Sequence, residues 1–130
     1  QTRIEHTVSI AALIQSLVRC LADEHGDGTR PPVDHPAELL EANKWIAARY
    51  GLDGRVLDPA SETVVRLGEL TGRLLDRLRE HADDLGCTAE LEGIGDLLEH
   101  GNGAERQRLV YGANRDLHET MGEIIEVTGA

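Results

Sequence analysis

Ile10, Leu13, Ile14, Leu17, Val18 and Leu21 recur at the i, i+3, i+4, i+7 spacing of one helical face. The spacing predicts a first helix from about Glu5 to Glu24 with that stripe turned inward. "HGDGTRPPVDHP" then breaks the pattern with glycine and proline, a connector of roughly ten residues. Pro36 suits the first turn of a second helix and Glu38 complements its dipole, while Gly51 after Tyr50 predicts a left-handed C-terminal cap. "LDGRVLDPAS" is turn-rich. "ETVVRL" carries enough β-branched residues for a short extended segment, which does not by itself define a sheet.

Leu67, Leu70, Leu74, Leu78, Ala82 and Leu85 mark a third helix that ends at Gly86. Thr88 is placed to cap a fourth, carrying Leu91, Ile94, Leu97 and Leu98 and stopping at Gly101. Asn102 stands three residues before Glu105, a capping-box spacing that opens a fifth segment through "RQRLVYG". Asn114 is placed to cap a sixth, with Leu117, Met121, Ile124 and Ile125 on its inner face. Five or six helices and no internal repeat make an all-α chain.

One position interrupts the second helix. Leu39, Asn43, Ile46, Ala47 and Tyr50 share a face, so Asn43 points inward, where an unpaired amide costs about 1–3 kcal/mol. It therefore requires a partner, either a neighbouring loop or helix end within the chain, or a ligand or second polypeptide region. Trp45 and Arg49, at i and i+4 on the flank, are spaced for a cation–π contact worth about 0.5–1 kcal/mol when exposed. Such a contact either packs the surface or holds the guanidinium ready for a carboxylate or phosphate.

Composition narrows the classes. A chain of 130 residues supports one domain, since chains near 150 residues bury roughly 68–70% of their unfolded surface. A net charge of −11 argues against nucleic acid or an anionic membrane as partner, because both attract basic surfaces. Twelve of the 13 basic residues are arginine, Lys44 being the exception, and arginine suits bidentate contact to carboxylate or phosphate. No apolar run approaches the roughly 18 residues of a membrane span, so a soluble protein is expected. Cys20 and Cys87 lack CxxC spacing and predict a reduced, cytoplasmic protein. Met121 is the sole methionine, which predicts a processed chain or part of a longer one.

Metal and nucleophile motifs find no support in spacing. None of the six histidines follows a glutamate by three positions, and HExxH is absent. His25, His81 and His100 fall in or near last helical turns, where a cation favours the dipole. "GIG" and "GDG" lack the lysine and hydroxyl residue of a phosphate loop, and "DEHGDGTR" lacks the closing acid of a calcium loop.

Taken together, "QTRIEHTVSIAALIQSLV", "PAELLEANKWIAARYGLDGRVLDP", "LGCTAELEGIGDLLEHGNGAERQR" and the final helix resemble the C-terminal region of the carboxylate-amine ligase family, also called the type-2 glutamate–cysteine ligase family. "NKWIAARYG" followed by "LDGRVLDP" carries most of that resemblance, and "GAERQR" is a second anchor. His6, where relatives more often have aspartate, and Lys44 and Ile46 depart from the usual pattern.

The resemblance implies ATP- and magnesium-dependent joining of a glutamate-like carboxylate to an amino-acid amine through an acyl phosphate. It implies that the catalytic antiparallel sheet, of glutamine-synthetase type, belongs to a missing N-terminal region. The chain is then the helical part of a larger α+β ligase and is expected to be inactive alone. Arg3, Asn43, Arg49 and Tyr50 are the residues expected near substrate, ATP or the missing sheet, with Arg49 the foremost anion contact. No catalytic or metal-ligating residue is assigned within the chain. The competing reading is a non-catalytic helical interaction or dimerisation module, and self-association of an exposed apolar face is expected under either.

Overall fold

The computed structural model describes residues 4–28 and 35–129, with side chains described through residue 127. Arg3, one of the expected site residues, lies outside them, as does most of the connector after the first helix. Along the described chain run α1 (Ile4–Gly26), α2 (Ala37–Tyr50), a single 3-10 turn (Gly51–Asp53), β1 (Arg55–Asp58), β2 (Thr63–Arg66), α3 (Leu67–Leu85), α4 (Thr88–His100), α5 (Gly103–Asn114) and α6 (Leu117–Gly129).

The core lies between α1, α3 and α4. Leu78 and Ala82 of α3, Cys20 of α1 and Leu91 of α4 are buried, and Leu13, Leu17, Leu74, Leu75 and Cys87 pack around them. Full burial of a leucine such as Leu78 contributes about 1.5–3 kcal/mol. The α3 stripe read from the sequence is thus the inner face.

For α1 the expected face is corrected. Its buried positions are Ser9, Ala12, Ser16 and Cys20, whereas Ile10, Ile14 and Val18 of the predicted stripe are exposed and Leu13, Leu17 and Leu21 turn only partly inward. The physical reason is close approach. A Cβ on Gly93 of α4 would collide with the Ser9 hydroxyl, so α1 and α4 meet through small side chains that leave no room for isoleucine. Ser9 Oγ meets its own hydrogen-bond need by donating to the Glu5 carbonyl at 2.9 Å. By length and composition α1 is also apolar enough to cross a membrane, contrary to the expectation that no apolar run approaches such a span, because scattered polar residues leave its mean hydropathy high.

The turn-rich segment forms a hairpin that the sequence alone did not define. β1 and β2 pair antiparallel, with Arg55 opposite Arg66, Val56 opposite Val65, Leu57 opposite Val64 and Asp58 opposite Thr63. Val56 is buried, and Asp58 organises the turn. Its carboxylate accepts from the Ala60 N–H at 3.0 Å and the Ser61 hydroxyl at 2.8 Å, and Arg73 of α3 stands 3.5 Å away.

Helix ends match the predicted positions more closely than the predicted chemistry. Asn102 and Glu105 form the expected capping box on α5. Thr88 does not cap α4: Cys87 takes that position, and the Thr88 hydroxyl is buried without a hydrogen-bond partner among the described residues. Asn114 closes α5 rather than opening α6; Asp116 takes the latter role, its carboxylate accepting from His118 N–H at 2.7 Å and its carbonyl from Thr120 N–H. On α6 Leu117, Met121 and Ile125 are exposed, with Ile124 half-buried and Thr120 buried, so the expected inner face is only partly inward.

Candidate functional site

Helix α2 ends in an elbow built from two glycines. Gly51 has φ 60° and ψ −142°, positive in φ as a C-terminal cap requires but outside the left-handed helical well that "YG" predicts. A Cβ on Gly54 would lie 3.0 Å from both the Gly51 carbonyl oxygen and Ile46 Cγ2. The elbow folds the chain back on α2 tightly enough to set β1 alongside it.

Asn43 fastens that arrangement. Its Nδ2 donates to the Leu57 carbonyl at 2.8 Å, and its Oδ1 accepts from the Leu57 N–H at 3.1 Å. The partner required by the inward amide is therefore the backbone of β1. Asn43 offers Leu57 the same donor–acceptor pair that a neighbouring strand would.

On the outer flank Trp45, Arg49 and Tyr50 come together. The Arg49 guanidinium carbon lies 5.9 Å from the Trp45 ring centre and 5.7 Å from that of Tyr50. The two rings meet edge to face, with centres 6.0 Å apart and planes at 79°. Tyr50, expected on the inner face with Asn43, is 53% exposed, since α2 ends there and its ring swings back toward Trp45, itself 60% exposed. Arg49, like Arg55, Arg108 and Arg115, has no carboxylate partner among the described residues, whereas Arg19, Arg66, Arg73, Arg77, Arg79 and Arg106 do; of the four without one, only Arg49 is flanked by aromatic rings. Asn43 is thus bonded to β1 and structural, whereas the side chains of Arg49 and Tyr50 are exposed.

Asp58 escaped sequence reading. Hydrogen bonds from the Ser61 hydroxyl and the Ala60 N–H, with the Arg73 guanidinium behind them, hold its carboxyl below the usual carboxylate range against the opposing effect of burial. The available signal was "DPAS", an aspartate ahead of proline with a serine beyond. Its partners satisfy it, so its role is to fix the hairpin.

Elsewhere burial pushes the Cys20 thiol up, while a hydrogen bond from Arg77 ties Glu24 on α1 to α3. Both cysteines are free. Among the described residues no three His, Cys, Asp or Glu side chains converge as a metal-holding group.

The glutamate-cysteine ligase family 2 matches this chain over residues 1–128. Similar proteins include one named "Putative glutamate--cysteine ligase 2" from Sorangium cellulosum, 36% identical over 127 residues, covering 96% of this chain and 33% of that protein. One of the same name from Solibacter usitatus is 36% identical over 126 residues, covering 97% and 32% respectively. A third from Clavibacter sepedonicus is 41% identical over 106 residues, covering 82% and 27%. The chain spans about a third of the length of the curated relatives it matches.

Proposed function

Because the chain belongs to glutamate-cysteine ligase family 2, we propose that it is the helical C-terminal part of an ATP-dependent carboxylate-amine ligase that joins a glutamate-like carboxylate to an amino-acid amine such as cysteine's. In this reaction the carboxylate attacks the terminal phosphorus of ATP, giving an acyl phosphate and ADP. The amine then attacks the acyl carbon, expels inorganic phosphate and leaves the amide. Magnesium would neutralise phosphate charge when bound, and in this reading its ligands belong to the upstream region.

The observation that carries a role for this chain is Arg49. A guanidinium flanked by two aromatic rings, with no acidic partner among the described residues, is held in position while its donors stay open to an oxyanion. We assign it contact with a phosphate or a substrate carboxylate once the upstream region is present. Tyr50 and Trp45 hold the guanidinium plane, and Asn43 fixes the helix that carries all three. Arg3 remains in this reading as a second basic residue near the site. The free cysteines accord with a reducing cytoplasm.

ADP release by the full-length protein, with magnesium, ATP and glutamate and with or without cysteine, tests the reading. Release that rises with cysteine is expected, with none from this segment alone. An Arg49→Ala variant should raise KM for ATP or glutamate by about tenfold or more, the loss of one charge-assisted contact. No release with any amino-acid pair would overturn the ligase reading, and unchanged kinetics in Arg49→Ala would remove Arg49 from the site.

A further inference from the structure

Between α3 and α4 lies a crevice of about 190 Å³, lined by Leu75, Arg79, Thr88, Leu91, Glu92 and Gly95. Leu91 belongs to the core and Leu75 packs beside it, so the crevice opens directly onto apolar surface. A cavity of about 150 Å³ is enough to hold benzene, which leaves room here for a branched aliphatic group. None of the lining residues belongs to α2 or the hairpin, so the crevice is separate from Arg49.

Two opposite charges stand at its edge without joining. Arg79 Nη1 lies 4.0 Å from Glu92 Oε1, and Arg79 Nη2 lies 3.6 Å from Asp76 Oδ1, both beyond hydrogen-bonding distance. Arg19 with Asp23 and Arg73 with Glu69, by contrast, close to 2.9 and 3.0 Å. The side chains of Arg79 and Glu92 are 64% and 66% exposed, which leaves the donors of one and the acceptors of the other open beside an apolar recess. Gly95 adds a second sign. Glycine weakens a helix, and a Cβ at this position inside α4 would meet nothing within 4 Å, so packing within the chain does not require it. An occupant of the crevice does.

We infer that this crevice binds a free α-amino acid whose aliphatic side chain is about the size of leucine's. The Arg79 guanidinium takes the carboxylate and the Glu92 carboxylate takes the ammonium. The side chain enters between Leu75, Leu91 and Gly95, along the methylene stem of Arg79. The two charges select for both groups together. A carboxylic acid of the same shape pairs with Arg79 but stands against Glu92, and the corresponding amine pairs with Glu92 but stands against Arg79. Spacing disfavours peptides: the charged groups of a free amino acid flank a single carbon and suit protein charges 4.0 Å apart, whereas each further residue adds up to about 3.8 Å between them.

Ligand-observed NMR titration of the full-length protein with L-leucine tests this, with 4-methylpentanoate and 3-methylbutylamine as analogues that each lack one charge. Leucine is expected to bind with Kd of about 1 mM or tighter, and each analogue about tenfold or more weakly. Gly95→Leu fills the crevice from its own helix and should weaken leucine binding at least about tenfold without lowering the melting temperature. Arg79→Gln should abolish the preference for leucine over the amine, and Glu92→Gln the preference over the acid, so the assignment stays testable even if Gly95→Leu fails to fold. Three results would overturn it: no leucine binding at about 10 mM, equal affinity for all three compounds, or leucine binding that survives Gly95→Leu and is lost in Arg49→Ala, which places the amino acid at the ligase site instead.

Discussion

Asn43 on α2 and Leu57 on β1 exchange two hydrogen bonds, so that one side-chain amide completes the edge of a strand. The pairing explains an asparagine on an otherwise apolar face, and it makes the residue structural before it is anything else. Replacement by alanine leaves a partly buried N–H and carbonyl without partners. Asn43→Ala should therefore cost about 1–3 kcal/mol in urea unfolding. Asn43→Asp should rescue little, because a carboxylate accepts from the Leu57 N–H but repels its carbonyl. Equal stability of the wild type and the alanine variant would mean that water replaces the amide at no cost.

Trp45 is the only tryptophan, which makes the cation beside it measurable. In a protein of net charge −11, iodide is repelled overall, yet Arg49 raises its local concentration at the indole. Arg49→Ala should lower iodide quenching of Trp45 fluorescence roughly twofold relative to neutral acrylamide, with far-UV circular dichroism unchanged. An unaltered iodide-to-acrylamide ratio would show that the guanidinium does not stay beside the ring.

Two glycines give opposite expectations. At Gly54 a methyl group meets the Gly51 carbonyl and Ile46 at 3.0 Å, so Gly54→Ala should destabilise by about 1–3 kcal/mol. At Gly72, inside α3, a Cβ meets nothing within 4 Å, and Gly72→Ala should stabilise by about 0.5–1 kcal/mol. Thermal melts of the two variants check the pair, and a Gly54→Ala protein as stable as the parent would contradict the tight elbow.

Asp58 sets a pH dependence. Its pKa is lowered in the folded state by Ser61, Ala60 and Arg73. Its contribution is therefore complete above the unfolded value of about 3.9 and is lost as pH falls through the lower folded value. Asp58→Asn should be less stable than the parent by a constant amount above about pH 5, and the gap should narrow below about pH 4. Urea titrations at pH 7 and pH 3 measure it; a gap of the same size at both would exclude the carboxylate's charge as the cause.

The helices were legible because α3 and α4 repeat leucine with a 3.6-residue period and stop at glycines. The hairpin was not, since strands of four residues give too few alternations to stand out, and its turn is held by Asp58 and Ser61 rather than by a two-residue glycine turn. On α1 the period was right and the face was wrong. Ser9 and Ser16 read as polar, yet as small residues they form the close seam with Gly93, while the isoleucines stand outside. At the candidate site, spacing exposed the Trp45–Arg49 contact. The addition of Tyr50 depended on the helix ending where it does.

Helix α2 has no buried residue of its own and is held mainly through β1 and the turn that follows it. It is a hinged arm, pinned near its middle by Asn43 and at its end by the elbow. Its backbone amides should exchange with deuterium by a local opening that leaves the α1–α3–α4 core protected. A ligand gripping Arg49 would then slow exchange throughout the arm, so that occupancy at an exposed surface is reported by the backbone beneath it.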